Sequence, residues 1–254
     1  MTRGMPSLAE RFTAALSAQE APPGPDAPAA DPALLPVRLS RAVAGVLSVD
    51  GAGVSALTSP DRHVPLGASD PESEHAERLQ FTVGAGPCLQ ANRTQQPVFV
   101  VEADMRRRWP AFHDLLVRQT TYRGIVSLPL RRGLAGVGAI DLYFRDPAAV
   151  AALDVFAAST VRDLVTTALG EAAVWSAEVG GEGPDWLSGP PATGRARVWE
   201  AMGLTSLALD LPASEALAVL RARAYATGRT VDDLAADVVS GRADPSDVAA
   251  GGAG

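Results

Sequence analysis

Lysine is missing from this 254-residue chain, so all 22 of its basic groups are arginine. Cysteine occurs once, at Cys88, and histidine three times, at His63, His75 and His113. A single cysteine excludes an intrachain disulfide and a thiolate cluster for a structural metal. The scattered histidines show no zinc-ligand spacing, so no metal or cofactor is expected. The net charge of −7 argues against a coat for nucleic acid or acidic membrane. No run of about 20 apolar residues is free of charge, so no membrane span is expected. The first residues carry no apolar core followed by a cleavage site, and the chain reads as cytoplasmic.

What is present is a globular composition, 47% apolar and 20% charged. Residues 1–32 read as a flexible N-terminal segment, with one amphipathic stretch (Leu8, Phe12, Ala15, Leu16) and a proline- and alanine-rich linker, "APPGPDAPAADP". From Ala33 helical and strand patterns alternate. "LLPVRLSRAVAGVL" has a helical stripe ending near Asp50-Gly51. "GVSALTS" and "HVPLGAS" read as paired strands, "QPVFVVE" as a buried strand, and "GIVSLPLR" with "GVGAIDLYFRD" as a hairpin. An acidic helix is predicted from Pro71. Another is predicted from Asp146-Pro147 to about Glu178, apolar enough that a second subunit is expected to cover it. Strands framed by helices define an α+β domain over residues 33–179, an antiparallel sheet with flanking helices.

A Gly/Pro linker (180–193) leads to an all-helical segment, 194–243, and a tail, 244–254, expected to be disordered. Its three helices are predicted from about Arg195 to Leu209, from Pro212 to Gly228, and from Thr230, with Thr230 and Asp233 placed as a near capping box. Such a bundle is too small to be stable unless docked or dimerised. On the second helix Ala216, Leu217, Leu220 and Ala224 share a stripe, with Arg221 and Arg223 on its opposite edges. Arg221, Tyr225 and Arg229 follow one side. They combine guanidinium forks for phosphate with an aromatic for base stacking. The same arginines are equally placed to pair with Asp232, Asp233 or Asp237. Six arginines face six acids between Thr193 and Arg242, so bulk attraction cannot drive binding.

Two stretches resemble known modules. "LQFTVGAGPCLQANRTQQPV" (79–98), "RRWPAF" (107–112) and "VSLPLRRGLAGVGAIDLYFRDP" (126–147) resemble the GAF sensory domain of actinobacterial regulators. "WLSGP" and the run from "RARVWEAMGL" to "TVDDLAADVV" (186–239) resemble the ANTAR module of transcription antitermination. The resemblance implies a homodimeric regulator that performs no catalysis and whose bundle binds hairpin-containing RNA. Its RNA-binding residues would be Arg221, Tyr225 and Arg229, with Thr230, Arg223 and Arg197. It also implies a sensory domain that takes a small-molecule ligand or serves as a dimer scaffold. Pro212 and Trp199 depart from the pattern, Trp199 on the face where dimer or RNA would lie.

Rival chemistries find less support. Cys88 in Gly-Pro-Cys reads either as a low-pKa thiol at a helix N-terminus or as a small buried apolar residue. Alone it cannot supply both nucleophile and resolving thiol, which excludes GAF-type methionine sulfoxide reduction. "VGAGP" and "GVGAI" are too short for a dinucleotide fingerprint. The remaining alternative is a GAF ligand-sensing or protein-interaction signalling protein whose bundle contacts a protein partner.

Overall fold

The computed structural model describes residues 6–19, 31–59, 62–134, 136–178 and 184–249. Helix α1 (Leu8–Ser17) opens on a capping box in which Ser7 Oγ accepts from the Glu10 amide and the Glu10 carboxylate accepts from the Ser7 amide. Helix α2 (Leu35–Leu47) stops at Ser48, which turns left-handed with φ 53°. Strands β1 (Gly51–Ser59) and β2 (Arg62–Ala68) pair antiparallel. Helix α3 (Pro71–Val83) is capped by Asp70, whose Oδ1 accepts from the Glu72 and Ser73 amides. It ends at Gly84, with φ 68°.

Next come α4 (Pro87–Thr94), β3 (Val98–Val101), α5 (Glu102–Arg108) and α6 (Pro110–Gln119). Helix α4 places Cys88 in its first turn, while α5 and α6 have no counterpart among the elements expected from the sequence. The β4–β5 hairpin follows (Gly124–Pro129 and Gly138–Phe144), then α7 (Ala148–Ala152) and α8 (Val155–Glu178). The five strands form one antiparallel sheet in the order β2-β1-β5-β4-β3.

Strand alternation gives the sheet two different faces. Val54, Ala56, Val126, Leu128, Ile140 and Leu142 point toward α1, α2 and α8, where Phe12, Leu39, Val43, Val161 and Val165 complete an apolar core. The opposite face, covered by α3, α4 and α6, holds Leu79, Phe112, Leu116, Ile125 and Tyr143, with polar groups between them.

The single helix predicted from Asp146 to Glu178 is two. The chain breaks at Leu153, which is extended, and Asp154 Oδ1 then accepts from the Phe156 and Ala157 amides to start α8. A carboxylate followed by apolar residues satisfies a stripe and a cap equally well, and the cap won. Cover for α8 comes from within the chain, from α1, α2 and Trp186, whose Nε1 donates to the Leu169 carbonyl. Phe156, 88% exposed, and Val174, 60% exposed, stay outside that packing. Trp175's side chain lies outside the described residues.

The remaining elements are α9 (Pro190–Leu209), α10 (Ala213–Ala226) and α11 (Val231–Val239). Helix α9 begins at Pro190 rather than near Arg195, because Pro190 and Pro191 occupy first-turn positions that need no amide. The expected boundaries shift at both ends of the chain. The amphipathic stretch of Leu8, Phe12, Ala15 and Leu16 is helix as expected but is docked on the core, and Val248, in the expected tail, is buried in the bundle core. Residues 20–30, 179–183 and 250–254, within the expected linkers and tail, lie outside the described residues. No single helix among the described residues is long and apolar enough to cross a membrane.

Candidate functional site: a buried polar cluster beneath a docked bundle

The bundle closes over Ala216, Leu217, Leu220, Ala224, Leu234, Ala235 and Val238, all at most 5% exposed. It is docked on the first domain through Phe81, at the end of α3. The Phe81 ring is fully buried among bundle residues, with the Arg195 guanidinium 3.6 Å above its centroid and that of Arg221 at 4.5 Å. Trp199 meets it edge-on at 5.8 Å, and His63 does the same from the first domain at 6.0 Å. Two polar contacts flank the ring. The Val231 amide donates to Thr82 Oγ1 at 2.9 Å, and Gln119 Nε2 donates to the Gly228 carbonyl at 3.0 Å. Docking thus supplies the cover that so small a bundle needs.

This packing decides where the expected RNA-binding residues stand. Arg221 is folded inward over Phe81. Tyr225, 36% exposed, donates its hydroxyl to Asp114 Oδ2 of the first domain at 3.2 Å. Arg229 pairs with Asp237 at 2.6 Å and donates to the Asp233 carbonyl. Thr230 is 1% exposed and spends its hydroxyl on the α11 cap, accepting from the Asp233 amide and donating to Asp233 Oδ2. Arg197 is exposed and Arg223 half-buried, and neither forms an ion pair among the described residues. Arg221, Tyr225 and Arg229 therefore do not make one open surface in this arrangement. Of the expected residues, Arg197 and Arg223 form no side-chain hydrogen bond or ion pair among the described residues.

Arg195 gave no signal in the sequence beyond its charge. It is fully buried, pairs with Asp232 at 3.0 Å, and burial lowers its pKa to about 10. It is a docking residue.

Behind Phe81 lies a second feature. Ser55, His63, Glu77, Gln80, Cys88, Ser127, Asp141 and Tyr143 form a polar cluster on the inner sheet face, each at most 1% exposed. Register puts Gly53, Asp141 and Ser127 side by side across three strands. Gly53 matters because it has no side chain: a Cβ there would collide with the Glu77 carboxylate reaching down from α3. Ser55 Oγ donates to Glu77 Oε2 at 2.5 Å and Tyr143 Oη to Glu77 Oε1 at 2.7 Å. Gln80 bridges two members, donating to Asp141 Oδ2 at 2.5 Å and accepting from the Cys88 amide at 3.0 Å. The Glu77 and His63 side chains approach to 3.8 Å.

Burial sets the charge states. It pushes the Glu77 carboxyl up to about 8, with Asp141 adding repulsion, and Asp141 up to about 6 against the pull of Ser127, Gln80 and Cys88. The Cys88 thiol is pushed well up, first by burial and then by the two carboxylates, so it is not an activated nucleophile. His63 is driven down to about 3 by burial and by the charges of Arg195 and Arg221, and is a neutral imidazole.

These shifts predict a pH dependence. Glu77 keeps its proton in the fold up to about 8 but loses it near 4.5 when unfolded, so stability falls as pH rises across that window. His63 acts in the opposite sense between about 3 and 6.5, where only the unfolded chain takes up its proton. Between pH 6.5 and 8 the Glu77 contribution is unopposed by His63. Urea midpoints of the wild type are expected to fall over that range and those of Glu77→Gln to stay level. Equal slopes in the two proteins would contradict the assignment.

Beside the cluster opens a cleft of about 320 Å³, lined among others by Leu57, Gly84, Gly86, Leu89, Asn92 and Trp109. Leu57 and Leu89 also pack on Cys88, so the cleft floor touches the cluster. Comparison with protein-family models, curated proteins and solved structures found no match to the chain.

Proposed function

We propose that the chain is an RNA-binding transcription antitermination regulator of the GAF–ANTAR kind. Its α+β domain senses a signal, and its C-terminal bundle contacts hairpin RNA as one half of a homodimer, with no chemistry performed. The observation that carries this reading is the docked bundle itself. Its core uses the α10 stripe of Ala216, Leu217, Leu220 and Ala224, while two of the expected RNA-binding residues, Arg221 and Tyr225, are engaged by the sensory domain. Docked, the module is held back; undocked, Arg221 and Tyr225 are freed for RNA. The 320 Å³ cleft is where a small-molecule signal would enter. Phe156 and Val174 on α8 are the apolar positions a second subunit would cover.

Fluorescence anisotropy of the full chain against a two-hairpin RNA and a loop-scrambled control tests the reading. Selective binding is expected, weakened several-fold in the Arg197→Ala/Arg223→Ala double variant, with a shallow salt slope because few phosphates are neutralised. Equal binding of both RNAs, or no effect of the double variant, would count against it.

A second reading has one specific observation behind it. Leu207, 84% exposed, and Leu204, 39% exposed, stand one turn apart on α9 and form an apolar ridge that RNA does not need. A bundle that ignores RNA and uses this ridge would be a protein-interaction module.

A further inference from the structure

Three groups able to bind a metal, His63, Glu77 and Cys88, converge behind Phe81 with the Asp141 carboxylate near them, although they lie far apart in the chain. His63 comes from β2, Glu77 from α3, Cys88 from α4 and Asp141 from β5. One ligand atom each from His63, Glu77 and Cys88 lies within 4.8 Å of the other two. Around a tetrahedral zinc with bonds of about 2.0–2.3 Å, ligand atoms stand roughly 3.3–3.6 Å apart. Closing from the present spacing takes about 1 Å of side-chain movement.

An independent observation points the same way. Both His63 ring nitrogens are buried and have no hydrogen-bond partner among the described residues. A buried polar group left so costs about 1–3 kcal/mol, and most proteins avoid it. One Asp141 carboxylate oxygen, Oδ1, is in the same position. A neutral imidazole with its lone pair unused is the form that binds a metal.

The surroundings fit a metal as well. Ser55 and Tyr143 each donate one hydrogen bond to a different Glu77 oxygen, which fixes the carboxylate and leaves lone pairs over. Gln80 holds Asp141 and the Cys88 amide. Such hydrogen bonds behind the ligands orient them and tune affinity by about 10–100-fold in known metal sites. The cleft at Gly84 and Gly86 reaches Leu57 and Leu89, which pack on Cys88, and so ends beside the cluster.

We infer that His63, Glu77 and Cys88 form a buried transition-metal site, with the Asp141 carboxylate beside it. The mixed nitrogen, sulfur and carboxylate set suits zinc and its neighbours in the first row and excludes magnesium and calcium, which want oxygen alone. The His63 ring, a ligand, is also the first-domain partner of Phe81, so the ion sits one side chain away from the docking contact. The site stands without the RNA reading; if both hold, the metal is the signal that the docked bundle feels.

Cobalt(II) tests this directly, because its bond to a thiolate absorbs in the near ultraviolet. Cys88 is the only cysteine, so any such band must come from it. The chelator-treated full chain is titrated with cobalt(II), then with zinc(II). The expected result is one ion per chain, a thiolate-to-cobalt band that zinc abolishes, no band in Cys88→Ser, and at least tenfold weaker binding in His63→Gln. Both variants are checked for native circular dichroism. No band in the wild type overturns the site whatever the variants do, and so does a wild-type affinity retained by folded His63→Gln. No RNA enters the measurement, so a failure here leaves the RNA reading untouched, and the reverse holds.

Discussion

Phe81→Ala is expected to unseat the bundle. The ring is fully buried, between two guanidinium groups at 3.6 and 4.5 Å, the Trp199 indole and the His63 imidazole. Truncating a buried phenylalanine costs about 3–5 kcal/mol through lost transfer energy and the cavity left behind. Here two desolvated cation–π contacts go as well, each contributing on the order of 2 kcal/mol. The arginines they held are left in an apolar gap that water must fill. The loss falls on one contact between two parts of the chain, so its effect is local. Amide hydrogen exchange is the measurement. Protection in α10 and α11 is expected to fall by two orders of magnitude or more, while β1, β4 and β5, buried under helices on both faces, keep theirs. Unchanged exchange in α10 and α11 would mean that Phe81 is incidental to docking.

The second large effect is expected from Asp232→Ala. Arg195 is fully buried, its Asp232 partner mostly so, and Nη1 donates to the carboxylate at 3.0 Å. Burial lowers the pKa of Arg195 and raises that of Asp232, in both cases against the pull of the partner. Desolvation therefore outweighs attraction for each, and the pair itself adds little to stability. Removing one member is another matter, since it strands a buried charge at about 3–5 kcal/mol. The expectation is a sharp drop in the urea midpoint for Asp232→Ala. In the double variant Arg195→Met/Asp232→Ala most of that drop is recovered, although the Phe81 contact is lost. A double variant as unstable as the sum of its singles would show that the two residues act independently.

Much of the fold was legible because it follows from period. The strands alternate, and the α10 stripe of Ala216, Leu217, Leu220 and Ala224 is the stripe the structure buries. What period could not show was the use of charge. Arg195 and Arg221 look like surface arginines in sequence. Only the arrival of Phe81 from more than a hundred residues upstream turns them inward. Arg229 shows the opposite case: its pairing with Asp237, eight residues on, could be read from spacing and is present. Helix α5 has no apolar stripe, since "EADMRRR" buries Met105 alone. Trp109 leaves helical geometry between α5 and α6, with φ −141°, and Pro110 starts afresh.

The polar cluster was invisible to motif spacing for a physical reason. Its members meet through strand register and helix packing, and so no fixed interval in the chain marks them. A signal was there nonetheless. "GVSALTS", "GIVSLPL" and "GAIDLYF" each place one polar residue (Ser55, Ser127, Asp141) inside an apolar strand core. Three such interruptions on adjacent strands, all on one face, mark a polar patch in what should be a dry layer.

In the proposed function the bundle is an RNA-reading module kept back by its seat on Phe81. The most direct test compares wild type with Phe81→Ala in anisotropy titrations against the two-hairpin RNA and its loop-scrambled control, at one fixed salt concentration. The unseated variant, its bundle then covered by the second subunit of the proposed homodimer, is expected to bind the hairpin RNA at least tenfold more tightly than wild type and to keep the preference over the control. A variant proved unseated by hydrogen exchange that binds neither RNA, or binds both alike, would contradict it.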